Sequence, residues 1–130
     1  MAAGVAKIGF CALHVGPRRF PLQPLHARTF IPCRADVPPL KAGEMHALLR
    51  QLPSWRVVDN HHLERLYEFP DFGSAMAFCV KVGALAEAHN HHPDLAFGWG
   101  WAEIKLWTHA IDGLAESDFI LAAKIEQLGL

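Results

Sequence analysis

From residue 99 to 110 the chain alternates with a period of two. Ala102, Ile104, Leu106 and Thr108 fall on one side; Trp101, Glu103, Lys105, Trp107 and His109 fall on the other. Successive side chains of a strand point to opposite faces, so this segment predicts a strand whose first face packs on a core. The second face still carries two tryptophans, and is expected to meet a ligand or another subunit.

The elements around this strand follow from their own periodicities. Met45, Leu48, Leu49 and Leu52 lie at helical spacing between Lys41 and Leu52, where Pro53 stops the helix. Trp55 to Val58, a turn at Asp59-Asn60, and Leu63 to Phe69 read as a β-hairpin. Asp71 is suited to cap a long helix whose broad apolar stripe runs through Phe72, Met76, Cys79 and Ala86, with Phe78, Val82 and Leu85 alongside, ending near His89-Asn90. A short strand near 95–99 is expected before the alternating one. Beyond the Asp112-Gly113 loop, Phe119, Leu121, Ala122, Ile125 and Leu128 predict a final helix over Asp118–Leu128. The order helix, hairpin, helix, strand, helix is an α+β pattern, closed most simply as an antiparallel sheet with helices packed on one face.

Pro17, Pro21, Pro24, Pro32, Pro38 and Pro39 oppose regular structure in the first forty residues. Residues 1–36 are therefore expected to be a disordered or irregular extension, and 37–130 the folded domain. The extension is also where charge is asymmetric. Residues 1–35 hold five of the twelve basic groups and no acid, leaving seven against thirteen acidic groups, a net of −6, in the rest. An acidic domain without a basic patch argues against a nucleic-acid surface. The Arg-rich, acid-free start resembles an organelle transit peptide although serine is absent, and a simple extension or an upstream start codon reads equally well. With three unpaired-looking cysteines and no apolar run of membrane-spanning length, a reducing compartment is expected, cytoplasmic or, with a transit peptide, organellar.

The chemistry concentrates at Glu87-Ala88-His89-Asn90-His91-His92-Pro93, followed later by Thr108-His109. Histidine titrates nearest neutrality, so such a cluster both gives and takes protons at working pH. Pro93 disfavours helical geometry at His92, so the two adjacent imidazoles leave the helix in extended form and splay apart. Glu87 stands four residues before His91 and reaches toward the cluster; it also reads as a salt bridge capping the helix end. His89, His91, His92 and His109 with Glu87 form an alternative metal-ligand set. Their spacing does not stack two histidines on one helical face and no cysteine is near, so no metal is expected. His61-His62 beside the Asp59-Asn60 turn reads as solvated loop. No nucleophile triad, phosphate loop or dinucleotide fingerprint is present; Gly98 and Gly100 flank Trp99 without a strand-to-helix context.

Glu87, His91-His92-Pro93, Trp99, His109 and Asp118, with Phe69-Pro70-Asp71-Phe72 and Gly113-Leu114, resemble the signature of the pterin-4a-carbinolamine dehydratases over about Lys41 to Leu128. The resemblance implies a four-stranded antiparallel sheet with three helices on one side, assembled as dimers or tetramers. It implies conversion of 4a-hydroxytetrahydrobiopterin to quinonoid dihydropterin and water, in support of tetrahydrobiopterin recycling, without a metal or organic cofactor. By position it makes His91, His92 and His109 the acid–base residues, His92 the principal one. Glu87, Trp55 and Pro93 are placed by it at the pterin pocket. It also admits a second role, dimerisation partner of a transcription factor. Two departures stand out: Ala115 replaces a Ser or Thr cap of the last helix, for which Ser117 is expected to substitute, and position 89 is histidine.

Overall fold

The computed structural model describes residues 23–29 and 37–128. Its elements are α1 (Ala42–Leu49), β1 (Arg56–Val58), β2 (His62–Glu68), α2 (Phe72–His89), β3 (Asp94–Gly98), β4 (Trp101–Leu106), a 3-10 turn at His109–Ile111 and α3 (Glu116–Glu126). The four strands form one antiparallel sheet in the order β1-β2-β4-β3. This is the expected α+β architecture.

The register explains the alternation. Leu63 faces Leu106, Arg65 faces Ile104 and Tyr67 faces Ala102, so one sheet face presents Leu63, Tyr67, Ala102, Ile104 and Leu106, all buried. Phe78, Cys79 and Val82 of α2 and Phe119 to Ala122 and Ile125 of α3 join the same core. Each buried Leu or Ile contributes about 2 kcal/mol relative to exposure. The opposite face stays uncovered and carries Leu66, Glu68, Trp101 and Glu103, with Glu64 paired to Arg56 and, at 3.7 Å, to Lys105. Gly98 lies opposite Trp101, whose indole occupies the space a Cβ would take: Nε1 would be only 2.6 Å away.

Local chemistry sets the element ends. The Asp71 carboxylate accepts the Ser74 N–H at 2.8 Å, capping α2. Glu44 accepts the Lys41 N–H at 2.8 Å at the start of α1. That helix stops at Leu49, three residues before the expected end, because residues 50–52 tighten into turns closed by Gln51 N–H to Leu48 O and Leu52 N–H to Leu49 O. Asp59 and Asn60 both take φ 53, a conformation that Asp and Asn tolerate better than most residues, and His61 N–H closes this hairpin turn on Val58 O at 2.9 Å.

Within the N-terminal stretch, residues 23–29 hold a 3-10 turn at Leu25–Ala27. Leu25 is buried in the domain core, Arg28 pairs with Glu116 at 2.6 Å, and Lys124 Nζ donates to His26 O at 2.9 Å. Expectations for the remaining residues of 1–36 lie outside the described residues.

Candidate active site

The histidine pair is built by the end of α2. Asn90 takes left-handed geometry (φ 51, ψ 43), His91 N–H bonds Ala86 O at 3.1 Å and Asn90 N–H bonds Glu87 O at 3.2 Å. This is a Schellman-type ending, in which one residue at positive φ satisfies the last carbonyls and turns the chain off the helix axis. His91 and His92 then leave in extended form toward β3. Asp94 faces Lys105, so they enter the sheet at the end where β4 leaves through Trp107 and Thr108.

The two imidazoles point to opposite sides. His91 is 6% exposed and its Nε2 lies 2.6 Å from Asp118 Oδ1. Asp118 is fully buried, and its other oxygen accepts the Thr108 hydroxyl at 2.7 Å and the Ala115 N–H at 2.9 Å. The carboxylate sits in the first turn of α3, where the helix dipole favours negative charge. An acceptor-only carboxylate at Nε2 assigns the ring proton to that nitrogen. His92 points outward, its side chain 53% exposed, with Nε2 2.5 Å from Glu87 Oε1. Pro93, half-buried, follows and begins the approach to β3.

The third histidine lies one residue past Thr108. His109 opens the 3-10 turn, is exposed, and stacks on Trp107 with ring centroids 4.5 Å apart. Thr108 is buried and makes a bridge with Gly113, 2.8 Å from its N–H to Gly113 O. Thr108 thus turns inward to Asp118 while His109 turns outward. His91 and His109 are linked through Asp118 and one strand end.

Not every expected residue joins them. Trp55 is a core residue: its Nε1–H donates to Glu126 Oε2 at 2.9 Å, together with the Tyr67 hydroxyl at 2.6 Å and Arg65. Glu126 stands eight residues beyond Asp118, about 12 Å along α3 at helical rise. Trp55 lines a cavity of about 220 Å³ at that end, with Leu25, Gln51 and Glu126. The pair His61-His62, expected to be solvated loop, is half-buried: both rings contact Trp107, at 5.3 and 5.9 Å, and His61 Nε2 lies 2.8 Å from Asp112 Oδ1. Register explains this, since β2 begins with His62 at the end of the sheet where β4 runs into Trp107. Asp118, part of the signature but without a role assigned from sequence, is the buried carboxylate whose contact with His91 sequence reasoning misses; its partner lies 27 positions away. Ser117 does not cap α3. Ala115 takes the cap position without a side-chain acceptor, and the reciprocal half of a capping box remains: the Asp118 carboxylate accepts the Ala115 N–H at 2.9 Å.

The electrostatics differ among the neighbours. His89, half-buried at the end of α2, is held below the usual imidazole range by burial and by the nearby Lys124 cation. Among the described residues, no group of three or more His, Cys, Asp or Glu side chains is disposed to hold a metal ion.

A model of the pterin 4 alpha carbinolamine dehydratase family matches residues 38–128. The chain belongs to this family. A Rubrobacter xylanophilus protein named as a pterin-4-alpha-carbinolamine dehydratase is 53% identical over 107 residues, 82% of this chain and all of that one. One of the same name from Aromatoleum aromaticum is 48% identical over 105 residues, 80% of this chain and 94% of its own. Among solved structures, a transcriptional coactivator/pterin dehydratase from Brucella melitensis superposes with a TM-score of 0.64 at 31% identity, over 68% of this chain and 95% of that one. The dehydratases so named are hydro-lyases, the enzyme class expected from the sequence. Among the described residues, no helix is long and apolar enough to cross a membrane.

Proposed function

We propose that residues 37–130 form a dehydratase that converts 4a-hydroxytetrahydrobiopterin to quinonoid dihydropterin and water by histidine acid–base catalysis, in support of tetrahydrobiopterin recycling in the cytoplasm. The observation that carries this reading is the carboxylate behind each imidazole of one dipeptide: Asp118 on buried His91 and Glu87 on exposed His92.

The reaction needs one proton delivered and one removed. The C4a hydroxyl leaves as water once its oxygen is protonated, and the N5 proton departs as the C4a=N5 bond forms. His92, accessible and oriented by Glu87, is the principal proton carrier. His91, fixed by Asp118, and His109, seated on Trp107, serve the hydroxyl side. Each positioned imidazole contributes roughly 10²–10⁴-fold. Pro93 acts by fixing the chain after His92. Trp55 acts on the pocket from the core, through the packing of α3.

Stopped-flow absorbance of carbinolamine dehydration, with chelator present, tests the reading. Wild type should turn over rapidly and His92→Ala and His109→Ala should lose most of that rate with unchanged folding. Wild type no faster than buffer would sink it.

Self-association belongs to the same proposal. Phe72, Met76 and Val80 of α2, at helical spacing, remain exposed beside exposed Leu95 and Phe97 of β3. Five large apolar side chains on one surface suit a second copy of the chain. A second reading, a dimerisation module for a transcription factor, is favoured by the likeness to the Brucella melitensis protein, which is described as a transcriptional coactivator as well as a pterin dehydratase. It predicts an α2 surface that exchanges its own copy for the partner's, while the histidine variants leave that binding intact.

A further inference from the structure

The hairpin tip carries two histidines that the dehydration chemistry above does not use. His61 is held from behind by the positive-φ turn at Asp59-Asn60, through its N–H to Val58 O. In front, its Nε2 meets Asp112 Oδ1 at 2.8 Å. Asp112 closes the turn that His109 opens: it takes φ 49, its N–H bonds His109 O at 3.2 Å, and Ile111 N–H bonds Thr108 O at 3.2 Å. The groups facing His61 are Asp112, the His62 ring, whose Nδ1 is 3.2 Å from its own, and Trp107, which also contacts His109.

We propose that His61, acting through Asp112, is a positioning residue for His109, tying the 109–111 turn and the Trp107 ring to the rigid end of the β1–β2 hairpin. The proposal rests on the dehydratase reading for the role of His109. An exposed His–Asp pair contributes little to global stability. Its effect belongs to geometry: an exposed histidine on a three-residue turn has few other restraints, and small displacements of an acid–base group lower rates steeply.

The test uses the full chain with His61→Ala, His61→Gln, Asp112→Gly and the double variant His61→Ala/Asp112→Gly. Glycine keeps the positive φ while removing the carboxylate. Glutamine places an amide N–H near the position of Nε2. His61→Ala and Asp112→Gly should each lower kcat about tenfold with KM within about twofold and thermal midpoints near wild type. His61→Gln should recover kcat to within about threefold, and the double variant should be no worse than the singles, since both cut one linkage. The His109 Cε1–H NMR signal should shift in His61→Ala and return in His61→Gln. Unchanged kcat in His61→Ala, or losses that multiply in the double variant, overturn the proposal. A wild type that does not dehydrate carbinolamine overturns the dehydratase reading instead; the His109 signal then decides the tether alone, and an unmoved signal in His61→Ala refutes it.

Discussion

Asp118 binds His91 with one oxygen and Thr108 with the other, so a single buried carboxylate couples the histidine pair after α2 to the strand end that carries His109. Replacing it by Asn sets an amide NH₂ against either His91 Nε2–H or the Thr108 and Ala115 donors. Asp118→Asn should therefore lose about 2–3 kcal/mol in urea denaturation, the cost of burying an unsatisfied donor. It should also slow dehydration, because the His91 tautomer is no longer fixed.

Glu87 and His92 form the opposite case. Both are largely exposed, so Glu87→Gln should change stability by no more than about 0.5 kcal/mol. If the carboxylate orients the imidazole that moves protons, kcat should still fall, by about tenfold. Equal kcat for wild type and Glu87→Gln would leave Glu87 as a helix-end ion pair.

Tyr67 is the only tyrosine in the chain, so its ionisation is directly visible in the near-ultraviolet absorbance of tyrosinate. Burial raises its hydroxyl to about 12, against the smaller opposing effect of Arg65. Because the folded value lies above the unfolded one of about 10, its contribution to stability is complete below about pH 10 and is lost as pH rises through about 12. The absorbance titration should show one late transition in the folded protein and an ordinary one in denaturant.

Val80 is 65% exposed on the apolar face of α2. Val80→Glu should leave the secondary structure intact and shift sedimentation to the monomer. An unaltered sedimentation coefficient would refute α2 as the self-association surface.

Much of this is legible in the sequence because periodicity is local. The alternation of the last strand marks its buried face and Asp71 marks the cap of α2, but the stripe on α2 holds only in part: Cys79 and Ala86 are buried, whereas Phe72 and Met76 are exposed, and Phe78 and Val82 pack inward in their place. What stays hidden depends on register. Nothing local to His61-His62 says that β2 will start beside Trp107, and the pairing of His91 with Asp118 spans the whole of β3, β4 and the following turn. The α3 cap falls to Ser117 on sequence rules, which look for a side chain at the cap, whereas Asp118 reaches back to the Ala115 backbone. Resemblance assigns Trp55 to the pocket; its ring is buried in the core and its indole N–H donates to Glu126, a contact no local pattern signals.

The left-handed Asn90 ends a helix whose buried face, Ala75, Phe78, Cys79, Val82 and Ala86, is locked into the core, and this makes the length of that helix a matter of phase. Inserting or deleting one residue between Asp71 and Asn90 would rotate the exit point by about 100° about the helix axis. His91 would swing away from Asp118, and His92 from the solvent side. The segment can absorb substitutions along its open face, but not a change in its count of residues.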